Sequence, residues 1–236
     1  MKIIDDKFNL NPLIRLFTQF CSSVIILGAG IIIHNLGNYY LIGNIELYYF
    51  AYIITIFCII ISINSFNFID GIDGLCSGVF ISSILLIILF NSYFNSYNFY
   101  NFIFLYDFTF IVFCFFITNY FLTKHKIFLG DSGSNLLGFY LSVILIFHTQ
   151  SNNPAFHPVL AIWILSIPVF DFFSILIARV FYLKINPMQS DKKHIHHLLL
   201  SNNISTKYIT PILVSTNLIL GVFGLIVYLI FGSLIC

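Results

Sequence analysis

Charge is what this sequence has least of. Of its 236 residues only 8% are charged, ten Lys or Arg against nine Asp or Glu, where a soluble domain carries about a quarter. That scarcity excludes most soluble classes. The net charge of +1 offers no clustered basic excess, so nucleic acid is not an expected partner. The five cysteines (Cys21, Cys58, Cys76, Cys114, Cys236) have no CxxC spacing and read as small apolar residues of the core. No internal repeat is visible. Met1–Asp6 is too short and too charged for a signal peptide, and no cleavage pattern follows it. In place of charge there is apolar surface: 59% hydrophobic residues with 29 Phe and 14 Tyr, and a mean hydropathy of +0.99. Disorder is excluded by the same figures.

The apolar residues fall into seven stretches, at about 17–36, 46–63, 75–90, 102–122, 133–148, 158–182 and 209–231. Each is long enough, or nearly so, to cross a hydrocarbon core of about 30 Å as a helix of about 20 residues. They are apolar all round, without the alternation of a membrane barrel. The expected fold is therefore all-α: a single polytopic membrane bundle of about seven transmembrane helices. Alternating seven spans puts Lys2, Lys7, Arg15, Lys124, Lys126, Arg179, Lys184, Lys192, Lys193 and Lys207 on one face. The bias of basic residues toward cytoplasmic loops names that face cytoplasmic. The opposite loops, near 34–46, 91–101 and 148–158, hold no Lys or Arg.

Six of the nine acids gather at the same basic face. Asp5 and Asp6 precede the first span; Asp70 and Asp73 lie in NSFNFIDGIDGL between spans two and three. Asp131 lies in KIFLGDSGS at the start of span five, and Asp191 in DKKHIHH between spans six and seven. Each Asp of the second group is followed by Gly, which lets backbone approach a ligand closely. Ser132 or Ser134 is placed to cap the fifth helix, whose terminal N–H groups favour phosphate. Carboxylates crowded at a membrane boundary call for a hard divalent cation. Mg²⁺ takes one or two carboxylates and leaves its other positions to water and phosphates. The ensemble points to diphosphate chemistry, with His or Lys side chains holding phosphate oxygens. Glu46 is expected outside, with Asp107 in span four and Asp171 in span six.

The strings NSFNFIDGIDGL, KIFLGDSGS and SDKKHIHHLLL resemble three signature motifs of the polyprenyl-phosphate N-acetylhexosamine-1-phosphate transferases, glycosyltransferase family 4. IIDDKFNLNPLIRLFTQ resembles a fourth, with Asn9, Pro12 and Arg15 also in place, and PVFD at 168–171 is similar to a family pattern before the His loop. The resemblance implies transfer of a sugar-1-phosphate from a UDP-N-acetylhexosamine, GlcNAc foremost, to undecaprenyl phosphate with release of UMP. It places the enzyme as a multi-pass protein of the bacterial inner membrane, with its site on the cytoplasmic face, and suggests a homodimer. By that resemblance Asp5 and Asp6 match the pair associated with polyprenyl phosphate and proton removal. Asp70, Asp73 and Asn67 match the nucleotide and metal loop, and Asp131 looks like the ligand of Mg²⁺ (or Mn²⁺), with Asp70 beside it. His194, His196 and His197 match the motif that contacts diphosphate, with Asp191 and Lys193 on the same substrate-binding loop. The Asp-x-x-His-x-His-His form is similar to the WecA/TagO-like branch rather than the MraY-like one.

Two departures are mild, Lys192 where Arg is usual and Ser132 where Thr is common. A third is larger: the resemblance implies that about the first third of the family's usual length, some three helices, is missing ahead of Asp5. A non-catalytic or accessory membrane protein of the same fold is the second reading. A cation-coupled transporter is the third, disfavoured because such proteins hold their acids near the midplane.

Overall fold

The computed structural model describes residues 12–39, 43–94, 99–122, 127–151, 153–183 and 194–235. Asp5, Asp6, Asp191 and Lys193 lie outside the described residues. The chain forms α1 (Pro12–Gly28), a hairpin of β1 (Asn35–Tyr39) and β2 (Gly43–Glu46), then α2 (Phe50–Ile69), α3 (Leu75–Tyr93), α4 (Phe99–Tyr120) and α5 (Gly130–Gln150). There follow α6 (Val159–Ile164), α7 (Ser166–Ile177), a π-helical turn (Ala178–Leu183), α8 (Ile195–Ser201) and α9 (Thr206–Ile235).

The Ile- and Phe-rich run of α2 would suit a strand in water. In lipid every backbone N–H and C=O must find a partner inside its own segment, and the helix achieves this. Helices α2, α3, α5 and α9 are long and apolar enough to cross a membrane, and two shorter apolar helices occupy Leu13–Gly28 and Leu105–Tyr120. The chain is a multi-pass helical membrane protein. Of the four long helices α3 is the central one, with 72% of its span buried against 28–39% for the others; α4, α5, α6 and α9 pack around it. Helices α2 and α5 share the most extensive helix–helix interface. Gly138 makes their close approach possible, since a Cβ there would collide with the Ser62 carbonyl and Ile63 Cα. Ser62 Oγ donates to the Gly138 carbonyl at 2.8 Å. Small residues serve this purpose generally in membrane bundles.

Three expectations need correction. The first span does not continue to residue 36. Helix α1 stops at Gly28, the chain turns at Gly30 (φ +80°), and the loop expected at 34–46 is an antiparallel hairpin pairing Asn38 with Asn44. Gln150, the last residue of α5, holds that hairpin: its Oε1 accepts the N–H groups of His34 (2.9 Å) and Asn35 (3.2 Å), and its Nε2 donates to the Asn35 carbonyl at 3.0 Å. The sixth span is broken at Leu165 into α6 and α7. Of the described cysteines only Cys76 is buried; Cys21, Cys58 and Cys114 face outward.

The break in the sixth span follows from Pro168. Proline has no N–H, so the Ile164 carbonyl four residues back loses its helical donor. Asn217 of α9, fully buried, replaces it: Nδ2 donates to the Ile164 carbonyl at 3.2 Å and to Ser82 Oγ at 3.0 Å. Its Oδ1 accepts Ser166 Oγ and the Ile167 N–H, and Ser83 Oγ adds a second donor to Ile164. The same physics recurs at Pro211 in α9, where the freed Lys207 carbonyl accepts the Tyr120 hydroxyl at 2.7 Å.

Candidate functional site

The loop joining α2 to α3, Asp70–Gly74, sits at the end of the bundle where α1, α5 and α9 begin. Gly74 takes a left-handed φ of +73°, which only glycine adopts without strain. Its N–H donates to Asn119 Oδ1 on α4, and Asn119 Nδ2 donates to the Ile127 carbonyl at 2.7 Å. Thr210 Oγ1 of α9 donates to the Asp73 carbonyl at 2.9 Å. The loop is thus pinned from two helices that are distant in sequence. Across from it, α5 begins at Gly130 (φ +65°) with Asp131 in its first turn, where a carboxylate complements the helix dipole. A cavity of about 280 Å³ lies between them, lined by Asp70, Asp73, Asn119, Gly130 and Asp131 among others. Three carboxylates predicted from two separate motifs therefore line one space. Asn67 of α2 is not among the residues lining that cavity; it donates to Ser134 Oγ at 3.2 Å, one turn along α5 from Asp131.

The expected serine cap of α5 is absent. The helix starts at Gly130, two residues before Ser132, and has no side-chain cap at Leu129. Ser134 turns back instead, donating to the Gly130 and Asp131 carbonyls at 3.3 Å and leaving its oxygen to Asn67. On the far side of Asp131, Arg15 Nη1 of α1 lies 3.3 Å from its Oδ2.

The histidines stand behind the same loop. A Cβ on Gly71 would strike His196 Nε2, so glycine there lets the His motif approach the acidic loop. His196 is 1% exposed and its Nδ1 has no partner among the described residues. Burial lowers its pKa to about 4, the charges of His197 and His194 push the same way, and Asp171 opposes them. It is neutral at physiological pH. The rings of His196 and His197 are 4.3 Å apart, and those of His194 and His196 stack at 5.8 Å. His194 Nδ1 is 2.9 Å from Asp171 Oδ2. Asp171 and Asn119 were not among the predicted site residues. The PVFD string marked Asp171 only as part of a pattern, and nothing local marked Asn119.

Among the described residues no three Asp, Glu, His or Cys side chains converge into a metal shell. Asp70 and Asp131 face one cavity, however, as hard oxygen donors. That suits a cation which takes one or two carboxylates and fills its remaining positions with phosphate and water.

The chain is 30% identical over 226 residues to an undecaprenyl-phosphate alpha-N-acetylglucosaminyl 1-phosphate transferase of Yersinia pestis, covering 94% of this chain and 61% of the relative. Proteins of the same name from Escherichia coli (strain K12) and Salmonella typhi are 29% and 28% identical over 221 residues, covering 86% of this chain and 56% of each relative. The chain thus spans between about half and two thirds of the length of these relatives. Residues 1–149, including the acidic loop and the start of α5, match the sequence profile of "Glycosyl transferase family 4", and the chain belongs to that family.

Proposed function

We propose that this chain forms the catalytic part of an enzyme that moves N-acetylglucosamine-1-phosphate from UDP-GlcNAc to undecaprenyl phosphate, releasing UMP. The observation that carries the reading is the single cavity lined by Asp70, Asp73 and Asp131, with the His motif packed against its Gly71 wall. The names of the relatives supply the acceptor and the sugar. In this reading Asp131 and Asp70 would hold Mg²⁺, which would supply neutralisation of the diphosphate charge. The remaining work belongs to the chain. Asp73 lines the nucleotide side of the cavity, Asn67 steadies the start of α5 through Ser134, and His194, His197 and Lys193 hold phosphate oxygens, on a loop that also carries Asp191. His196, neutral and buried, packs the loop against Gly71.

The second pKa of a phosphate monoester is near 6, so the acceptor arrives largely as a dianion and a base at Asp5 or Asp6 assists rather than initiates. Positioning and charge neutralisation dominate, as in other phosphoryl transfers. The basic face is cytoplasmic in this reading. The described Arg15 and Arg179 lie at the end of the bundle that carries the cavity, consistent with a cytoplasmic sugar nucleotide.

The test is UMP release by the purified chain in vesicles containing undecaprenyl phosphate and Mg²⁺, with UDP-GlcNAc and UDP-GalNAc offered separately. The expected result is release with UDP-GlcNAc and a loss of about 10²–10³-fold in Asp131→Asn, the scale of removing one group that stabilises transition-state charge. A well-folded chain that releases no UMP from either donor overturns the proposal for this chain.

A further inference from the structure

Asp171 is a buried acid to which the transfer scheme assigns nothing. It lies on α7, 6% exposed, and both of its oxygens are engaged by the His loop. Oδ2 is 2.9 Å from His194 Nδ1, and Oδ1 accepts the N–H of Ile195, the first residue of α8, at 2.9 Å. An ionised carboxylate only accepts, so Nδ1 of His194 is the donor in this contact. That leaves Nε2 as the nitrogen free to meet a ligand, and it has no hydrogen-bond partner among the described residues. The ring is also held by packing: Phe68 lies 4.9 Å from it, Phe172 stacks on Phe68, and the guanidinium of buried Arg179 sits 5.9 Å from the Phe68 centroid.

We propose that Asp171 is a positioning residue: it holds the Nδ1–H of His194 and supplies the countercharge for a ring protonated on both nitrogens, so that Nε2–H donates to a phosphate oxygen of the sugar nucleotide. The proposal rests on the transferase reading and adds to it a residue acting through another. A carboxylate on one imidazole nitrogen sets which nitrogen faces the substrate, and it supplies the countercharge when the ring holds a proton on both. Here the same carboxylate also takes an orphan N–H at the start of α8. Ring orientation and helix start are therefore set by one side chain. Asparagine cannot replace it, because its amide has one acceptor oxygen for two donors and no negative charge to balance a ring protonated on both nitrogens.

Two measurements test this. In kinetics, Asp171→Asn is expected to lower kcat/KM for UDP-GlcNAc about 10–100-fold, the scale of losing a partner that orients a catalytic group. KM for undecaprenyl phosphate is expected to stay unchanged. In a His194→Ala background the same substitution should add less than about twofold, because the two residues act as one unit. Equal losses in both backgrounds overturn the proposal. Independently of turnover, ¹⁵N-histidine spectra of the unsubstituted chain in lipid nanodiscs, assigned with His194→Ala, should show His194 protonated at Nδ1, and protonated at Nε2 as well once UDP is added. A neutral Nε2–H form, or no response to UDP, overturns it whether or not Asp171→Asn folds. Failure of the transferase reading would register separately, as absence of UMP release by the unsubstituted chain.

Discussion

His196 couples the site to pH. The unfolded chain takes up a proton near pH 6.5, while the buried ring in the folded state resists it down to about pH 4. Between those values the unfolded state binds more protons, so stability from this residue is intact above pH 6.5 and declines as pH falls toward 4. Thermal melting of the detergent-solubilised protein at pH 7.5 and pH 5 should show a smaller fall for His196→Leu than for the unsubstituted chain. An equal fall would remove His196 from the account. The neighbouring Gly71→Ala places a Cβ on His196 Nε2 and is expected to destabilise by about 1–3 kcal/mol, the cost of overpacking a close contact. Chemical denaturation checks it. Arg15 and Asp131 are both partly exposed, and an exposed ion pair contributes no more than about 1 kcal/mol. Arg15→Ala should accordingly leave the denaturation midpoint nearly unchanged.

Two prolines break the helical ladder, and in each case a side chain from another helix takes the freed carbonyl. Their surroundings separate the consequences. Asn217 is fully buried and serves Ile164, Ile167 and Ser166 together. Asn217→Leu therefore strands the Ile167 N–H in an apolar interior and should cost about 1–3 kcal/mol, read as a lowered melting temperature. The Tyr120–Lys207 bond lies at an exposed end of its helices, where water can take the carbonyl. Tyr120→Phe should cost less than about 1 kcal/mol. The reverse order of the two effects would show that the break between α6 and α7 is not held by Asn217.

Across the whole molecule, the site draws on the ends of α1, α2, α4, α5, α7, α8 and α9, while the opposite end carries the hairpin and its Gln150 anchor. In the proposed reaction, a site at one end of the bundle suits a water-soluble donor and a membrane-embedded acceptor. If Asp70 and Asp131 hold Mg²⁺, chelation with EDTA should abolish UMP release and added Mg²⁺ should restore it. Activity that survives chelation would exclude a cation from the cavity.

Hydropathy is a local property, so the apolar runs that cross a bilayer were legible residue by residue, and so were the helical class and the clustering of Asp70, Asp73 and Asp131. The motif strings also pointed to glycosyltransferase family 4 before any geometry. What the run of Ile31, Ile32 and Ile33 concealed was the end of α1, because a turn at Gly30 followed by a paired strand is as apolar as a continuing helix. Likewise Pro168 announced a disturbed helix but not its repair, which comes from Asn217, 49 positions later in the chain. Asp171 is the sharpest case. An acid in an apolar span has to be satisfied by something, yet only the packing of α7 against the His loop decides that its partners are His194 and the N–H of Ile195. A hydrogen bond depends on position to within a few tenths of an ångström, and for partners far apart in sequence only the folded chain sets that distance.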